Sequence, residues 1–338
     1  MFEFTKSIFI IVCIFFIVCV FIVPTSFAAV LKISTAYPDG TYVVKTLKAA
    51  GKEIEERTEG RIKLKFYPGG VQGDNKTVLK KIKRGILQGA LTEGGALAGD
   101  YKDSQVYNAP MVFKSFDEVD YVRSKMDSRL IKGFDKAGWK VFGLIDAGFA
   151  YAMTNHKVST IQELNEQKLW LPANDPLSEK VAGALGLSPI FLGIGEVLTA
   201  LQTGAVNAIA APPAATLILQ WYSRLKFVIN APFMYTYGTL AISNTAFAKM
   251  KKEDQVTVNA ILTATIKKVD KTSREDNIKA FAALKTQGLE IVVPEASQSE
   301  ELRKSAEKAT RILVEKGEFS KEILQKLNAL LLEHRNVP

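Results

Sequence analysis

The stretch "RIKLKFYPGGVQGDNKTVLKKIKRGILQGALTE" (61–93) contains a strand, a helix and a second strand in succession. Residues 61–68 alternate apolar and polar side chains, as a half-buried strand does. Asp74 is placed to cap a lysine-rich helix, and residues 86–93 form the next apolar run. Together with the earlier strand "LKISTA" (31–36) and the helix that follows it, this βαβαβ rhythm predicts a parallel sheet with helices on both faces.

A second alternation of helices and strands runs from about 160 to 224, between two long extended segments at 139–155 and 227–244. Both segments are longer than ordinary strands, so they suit crossovers between two lobes. Residues 252–286 then form a long helical pattern without Pro or Gly. Two α/β lobes joined by extended segments are the plan of a receptor that closes on its ligand by hinge motion.

The first 28 residues have the features of a secretory signal peptide. One Lys precedes an apolar run at 8–23, which ends in Pro24 and the small-residue pattern 26–28. We expect cleavage before Ala29 and a location in the periplasm. The alternative is an uncleaved membrane anchor, but the run is shorter than the roughly 20 residues that a spanning helix needs.

The domain bounds follow from these segments. We predict a signal peptide at 1–28. Domain I comprises residues 29–148 plus 238–270, and domain II comprises residues 149–237 plus 271–338. Both cysteines, Cys13 and Cys19, lie in the signal segment, so the mature chain has no disulfide framework.

Composition and motifs argue against several function classes. The net charge of +9 is spread over helical surfaces interleaved with acids, and no nucleic-acid motif is present. The histidines His156 and His334 have no nucleophile or metal-ligand pattern around them. We therefore expect no catalytic residues, no metal and no cofactor, and no nucleic-acid partner.

Four stretches together carry a family resemblance: "TEGRIKLKFYPGGVQGDNKTVLKKIKRG", "NAPMVFKSFDEV", "TIQELNEQKLWLP" and "IGEVLTALQTGAVNAIAAPP". The chain resembles the DctP-like substrate-binding receptors of tripartite ATP-independent periplasmic (TRAP) transporters over nearly its whole mature length. The resemblance implies a two-domain periplasmic binding protein fold with a hinged interdomain cleft and a long domain-spanning helix. It also implies a small-molecule ligand, delivery to membrane permease subunits and no enzymatic activity. We expect a monomer.

Most members of that family bind organic acids and hold the carboxylate with an arginine in a motif like K-[IL]-R-[VI]-P. The matching stretch here is "KLWLP" (168–172), so Trp170 occupies the arginine's place. A second arginine of some members corresponds to Ala150, with Tyr151 beside it. A polar residue of the family matches Ala211, and an acid at the end of the third strand matches Glu93.

An indole offers an apolar face and one N–H donor, whereas arginine grips a carboxylate through a charged fork. We therefore expect a ligand that is less acidic, larger or more aromatic than a typical small dicarboxylate. We also expect truncation of Trp170 to weaken ligand binding more than it lowers stability. Strand ends and crossovers supply the candidate ligand-binding residues: Tyr37, Glu93, Tyr151, Trp170, Ile194, Ala211 and Tyr237.

Two alternatives remain open. An organic acid could still bind at the helix N-terminus near 174–176 or to Lys168 or Lys45, although Asp175 would compete for the helix N–H donors. Alternatively, the receptor could serve as a ligand sensor coupled to a membrane kinase, which neighbouring genes would distinguish from a transport role.

Overall fold

The computed structural model describes residues 29–336 except Asn174. The predicted signal peptide, with both cysteines, lies outside the described residues. The first lobe begins as the sequence predicts, with strands and helices in alternation. These elements are β1 (Ala29–Thr35), α1 (Tyr42–Arg57), β2 (Ile62–Tyr67), α2 (Asn75–Lys83) and β3 (Gly89–Glu93).

A capping side chain begins α2 where the sequence predicts it. The Asp74 carboxylate accepts a hydrogen bond from the Thr77 N–H at 2.8 Å, which satisfies a free donor of the first turn of α2.

The following elements are two 3₁₀ segments (Gly94–Leu97 and Lys102–Asn108), α3 (Phe116–Lys136), β4 (Trp139–Val141), β5 (Ile145–Thr154), α4 (Ile161–Asn165), β6 (Leu169–Pro172), α5 (Pro176–Ala184) and β7 (Ile190–Leu192).

The remaining elements complete the second lobe and return to the first. They are a 3₁₀ turn (Ile194–Glu196), α6 (Val197–Thr203), β8 (Ala208–Ala211), α7 (Pro213–Ile218), a 3₁₀ turn (Trp221–Arg224), β9 (Phe227–Ile229), β10 (Met234–Ser243), α8 (Asn244–Ala248), α9 (Lys252–Thr286), β11 (Glu290–Val292), α10 (Ala296–Glu315) and α11 (Lys321–Arg335).

The strands form one continuous sheet in the order β2-β1-β3-β10-β5-β8-β6-β7. Pairs within each lobe are parallel, as in β1–β2, β1–β3, β6–β7 and β6–β8. The pairs β3–β10, β10–β5 and β5–β8 are antiparallel. The parallel pairing predicted from residues 31–93 is therefore confirmed, and the crossover strands at the centre run antiparallel to their neighbours.

The two long extended segments of the sequence contain β5 and β10, which pair with each other at the centre of the sheet. β10 continues along β3 and β4 in the first lobe. β5 continues along β8 and β9 in the second lobe. Both lobes therefore share these two strands, which confirms the two-lobed plan. The domain bounds predicted at 148/149 and 237/238 fall within this strand pair and stay a prediction.

Helix α9 spans 35 residues, as its unbroken sequence pattern predicts. At 1.5 Å per residue it is roughly 50 Å long, enough to run along both lobes. It packs against α1 of the first lobe, β5 at the centre and α7 of the second lobe. Near its start, Arg61 holds the buried Asp254 carboxylate through Nη2 at 2.9 Å and Nε at 3.2 Å.

A buried ionic network ties the middle of α9 to the central strands. Arg274 Nε donates to Asp146 Oδ2 of β5 at 2.7 Å, and the Tyr235 hydroxyl of β10 donates to the same oxygen at 2.9 Å. Arg123 of α3 donates to both carboxylate oxygens of Asp270 at 3.0 and 3.1 Å. The helix, both crossover strands and α3 are thus joined at one point.

The C-terminal helices divide between the lobes. α11 packs against α3 and places Leu327, Leu330 and Leu331 in a core cluster shared with the 3₁₀ segment at Lys102–Asn108. α10 instead contacts α5 of the second lobe. The predicted domain II segment 271–338 therefore includes a helix that packs on the first lobe.

Gly148 gives a direct test of the central strand. Its φ of +86° is unfavourable for other residues, and an added Cβ would lie 2.6 Å from Asn277 Cγ of α9. We expect Gly148→Ala to lower the free energy of unfolding by about 1–3 kcal/mol or more in denaturant titrations. The matched control is Gly183→Ala in α5, where no atom lies within 4 Å of the new Cβ.

Gly183 is exposed within a helix, so its replacement with Ala should raise the free energy of unfolding by up to about 1 kcal/mol. Equal midpoints for the two variants would show that the conformation of β5 at Gly148 does not constrain the fold.

Candidate functional site

A cavity of about 520 Å³ opens between the two lobes. The central strands β5 and β10 line it, together with the ends of β3, β6 and β8 and with α5 and α7. Most of the lining is apolar, supplied by Ala, Leu, Ile, Met and aromatic side chains. Its size and character are those of a pocket for a small organic molecule.

The structure brings most of the predicted site residues to this cavity. Tyr151 does not line it, because its neighbours Ala150 and Ala152 do, and alternation along β5 turns Tyr151 to the other face. The Tyr151 ring packs instead against Phe281 of α9, with ring centroids 4.7 Å apart. The six predicted residues that line the cavity are Tyr37, Glu93, Trp170, Ile194, Ala211 and Tyr237.

Trp170 lines the cavity but is also part of the second-lobe core. Only 2% of the residue is exposed, and its ring packs edge-on against Trp221 at 5.0 Å. Its indole N–H donates to the Leu192 carbonyl at 3.0 Å, so the ring surface alone faces a ligand. Truncating such a residue to Ala costs about 3–5 kcal/mol of stability. This burial argues against our expectation of a mainly functional effect.

Glu93 ends β3, and neighbouring side chains hold its carboxylate in place. The Asn75 amide donates to Glu93 Oε2 at 3.3 Å, and the Thr92 hydroxyl donates to Asn75 Oδ1 at 3.0 Å. The Glu93 side chain is open to the space of the cleft, although protein surrounds that space. The carboxylate is therefore accessible to a ligand.

This environment favours the protonated form of Glu93. Two effects raise the pKa of Glu93 to about 7. The larger is desolvation by the surrounding protein, and the smaller is the negative charge of Asp175. The Asn75 hydrogen bond opposes the rise. Burial and then the charges of Glu93 and Asp146 raise the pKa of the Tyr37 hydroxyl to about 12. Asp175 belongs to the second lobe, so a charge of one lobe raises the pKa of a carboxyl group of the other.

The charged groups of the cavity are all acidic. Among the described residues that line it, none is Lys, Arg or His, and four are acids: Glu93, Asp146, Asp175 and Asp276. Neither of the lysines considered as alternative carboxylate partners, Lys45 and Lys168, lines the cavity, and the Lys168 ammonium bonds to the Gly204 carbonyl at 3.0 Å.

The start of α5 is also occupied by its own cap. Asp175 Oδ1 accepts hydrogen bonds from the backbone N–H groups of Leu177 and Ser178 at 3.2 and 3.3 Å. These are donors that an anionic ligand would need at a helix N-terminus. The sequence-based alternative of an acid bound there therefore loses its donors to Asp175.

Three further residues of the cavity lining carry buried oxygens without a partner in the described part of the chain: Asn108 Oδ1, Asp146 Oδ1 and Asn277 Oδ1. Hydrogen bonds define the orientation of the two amides. Asn108 Nδ2 donates to the Tyr235 carbonyl, and Asn277 Nδ2 donates to the Ser273 carbonyl. The unsatisfied atoms are all acceptors, so only a hydrogen-bond donor could satisfy them.

Residues 29–336, apart from Asn174, contain no group of three His, Cys, Asp or Glu side chains that could hold a metal ion. Across the same part of the chain, every helix is too short or too polar to cross a bilayer.

Comparison with known proteins identifies the family. The model of the bacterial extracellular solute-binding protein family 7 (DctP) matches residues 33–316. The chain belongs to this family. It is a solute-binding receptor of the TRAP type, a class of extracytoplasmic binding proteins and not of enzymes.

Several relatives illustrate the family. The sialic acid-binding periplasmic protein SiaP of Vibrio cholerae is 22% identical over 274 residues, which cover 79% of this chain and 84% of that protein. A TRAP solute-binding protein of Haemophilus influenzae with bound L-gulonate superposes with a TM-score of 0.80 at 21% identity, covering 89% of this chain and 99% of the other. One from Desulfovibrio salexigens with bound orotic acid has a TM-score of 0.79 at 18% identity, covering 90% and 99%.

Sequence reasoning missed Asn75, Asn108 and Asn277 as residues of the site. Asn277 had a detectable signal, because it is a polar residue in the buried stripe of α9 that includes Val269, Ala280 and Leu284. Asn75 and Asn108 lie in a helix start and a 3₁₀ segment, where asparagine is common for local structural reasons.

The raised pKa of Glu93 predicts a pH-dependent stability. Between its ordinary pKa of 4.5 and the folded-state pKa of about 7, the folded protein retains a proton that the unfolded chain releases. This contribution to stability is therefore full below 4.5 and disappears as the pH rises through about 7. Relative to Glu93→Gln, which has no such proton, the melting temperature of the native protein should fall across this window.

The control is Glu307→Gln, at an exposed position of α10. Its melting curve should follow the native protein at every pH. A constant difference between the native protein and Glu93→Gln would contradict the raised pKa.

Proposed function

We propose that this receptor binds a solute that has hydrogen-bond donors and an apolar body and that lacks a carboxylate. It then delivers the solute to the membrane permease of a TRAP transporter. The observation that carries this proposal is the absence of any Lys, Arg or His among the described residues that line the cavity, together with the four acids there.

Desolvation explains why this lining selects against acids. Moving an unpaired carboxylate from water into a closed apolar cavity costs several kcal/mol. A bidentate arginine offsets that cost, and Trp170 stands where the family motif has one. An ionised Glu93 would add repulsion of its own. The ligands named for the relatives described above are acids, so we propose that this chain differs from them in ligand chemistry.

The remaining features of the proposal follow from the family and from the sequence. The chain is exported to the periplasm, loses residues 1–28 and acts there as a monomer. It binds its solute without chemical change, so the bound molecule should be recovered intact. Trp170 and Ile194 contribute apolar surface to the pocket, while Glu93 and Tyr37 contribute polar contacts.

A thermal-shift screen of residues 29–338 tests the ligand class. A ligand that binds only the folded state raises the melting temperature by mass action. The panel contrasts L-gulonate, D-glucuronate, orotate and small dicarboxylates with neutral and cationic metabolites of similar size. We expect the neutral and cationic compounds to give the largest shifts. A larger shift from any of the acids would show that another group holds a carboxylate and would refute the proposal.

A matched pair of tyrosine variants tests whether this cavity is the binding site. Tyr37 lines it, whereas Tyr151 packs on the other face of β5. Losing one hydrogen-bonding hydroxyl costs about 0.5–1.5 kcal/mol, so Tyr37→Phe should weaken binding of the best compound about two- to tenfold in calorimetric titrations. Tyr151→Phe should leave its affinity unchanged, and the reverse order would place the ligand elsewhere.

A further inference from the structure

Several buried hydrogen-bond acceptors belong to residues that line the cavity. Three of its lining residues have a buried oxygen without a partner in the part of the chain that is described: Asn108, Asp146 and Asn277. Leaving a buried acceptor unsatisfied costs about 1–3 kcal/mol, and a ligand donor that reached such an oxygen would recover that cost. A hydroxyl brings one donor, whereas a primary ammonium brings three and accepts none.

The positive charge of an ammonium distinguishes it from a hydroxyl as a donor. Glu93 of the first lobe and Asp175 of the second both line the cavity, so each lobe brings a carboxylate to the same space. Bringing the lobes together around a neutral molecule would leave the repulsion between these carboxylates in place. A positive charge between the two carboxylates would replace this repulsion with attraction. The apolar surroundings strengthen that attraction compared with water.

We infer that the solute carries an ammonium group, which the Glu93 carboxylate holds from the first lobe and the Asp175 carboxylate faces from the second. This inference rests on the proposed function, because it specifies the ligand of the same cavity. Asn75 has a positioning role in the site. Its amide donates to one Glu93 oxygen and is itself held by Thr92, which directs the carboxylate.

The affinity for an ammonium compound should depend on pH. An ammonium compound binds ionised Glu93, so its affinity should rise with pH through the pKa of about 7. Affinity one pH unit above this pKa should be about tenfold higher than one unit below it. A carboxylate ligand would show the opposite trend. The other ionisable groups of this surface are Tyr37 after β1, Tyr42 of α1, Asp146 of β5, Asp175 before α5, Asp276 of α9 and Tyr237 of β10.

The experiment uses two matched sets of compounds that differ only in the end group. They are 2-phenylethylamine, 2-phenylethanol and phenylacetate, and hexylamine, 1-hexanol and hexanoate. Titration calorimetry of the mature chain measures each affinity at millimolar ligand, above and below neutral pH. We expect the amines to bind tightest in both sets and to show the tenfold rise with pH.

Variants test which carboxylates contribute to amine binding. Glu93→Gln should weaken amine binding by about tenfold to a hundredfold and abolish its pH dependence, because a charged hydrogen bond is lost. Asp175→Asn removes the facing charge but keeps a helix cap, since Asn is also a good N-cap, and should weaken amine binding less. Glu307→Gln is the control and should match the native protein.

The outcomes separate this inference from the proposed function. If the alcohols bind as tightly as the amines with no pH dependence, the ammonium assignment is wrong and the proposed function stands. If phenylacetate or hexanoate binds tightest, both are wrong. Failure of both amines to bind at millimolar concentration also overturns the ammonium assignment, and the thermal-shift screen then tests the proposed function alone.

Discussion

The buried ion pair between Arg274 and Asp146 joins the long helix α9 to a strand that both lobes share. The Tyr235 hydroxyl binds the same carboxylate oxygen, so β10 is tied into the contact as well. Burial raises the pKa of Asp146, and the Arg274 guanidinium opposes that rise. Removing one partner of such a pair would leave a charge unpaired inside the protein, which typically costs about 3–5 kcal/mol. The relative placement of sheet and helix therefore depends on this contact.

The same contact lies next to the ligand cavity, since Asp146 also lines it. One Asp146 oxygen is committed to the network, and the other has no partner among the described residues. The residue thus belongs both to the joint between the lobes and to the surface that a solute meets. A donor on the solute that reaches the free oxygen would act directly on the point where α9, β5 and β10 are held together.

The overall charge of the chain does not determine what the cavity binds. A net charge of +9 would favour anions at the surface, yet salt screens charges beyond roughly 8 Å at physiological ionic strength. The cavity is governed by the groups inside it, and there the described lining residues include acids and no bases. Under the proposed function, selectivity is therefore a local property, set by desolvation and by a few oxygens.

Much of the fold could be predicted from the sequence because it depends on local signals. Apolar periodicity located the strands and the full length of α9, and Asp74 marked a helix start. The antiparallel central pairings could not be predicted, because the pattern of one strand does not reveal which partner it meets. Tyr151 shows the same limit at the site, since a shift of one residue along β5 decides between cavity and core.

Trp170 marks where the sequence was informative about chemistry and where it was not. Its position in the stretch that resembles the family motif predicts the loss of an arginine, and this prediction depends on residue type alone. Its hydrogen bond to Leu192 and its packing on Trp221 depend on neighbours distant in the chain. Relatives share this fold at about 20% identity, with TM-scores near 0.80. The scaffold of shared strands and long helix therefore tolerates wide sequence change, and the chemistry of the cleft can change while the hinge is retained.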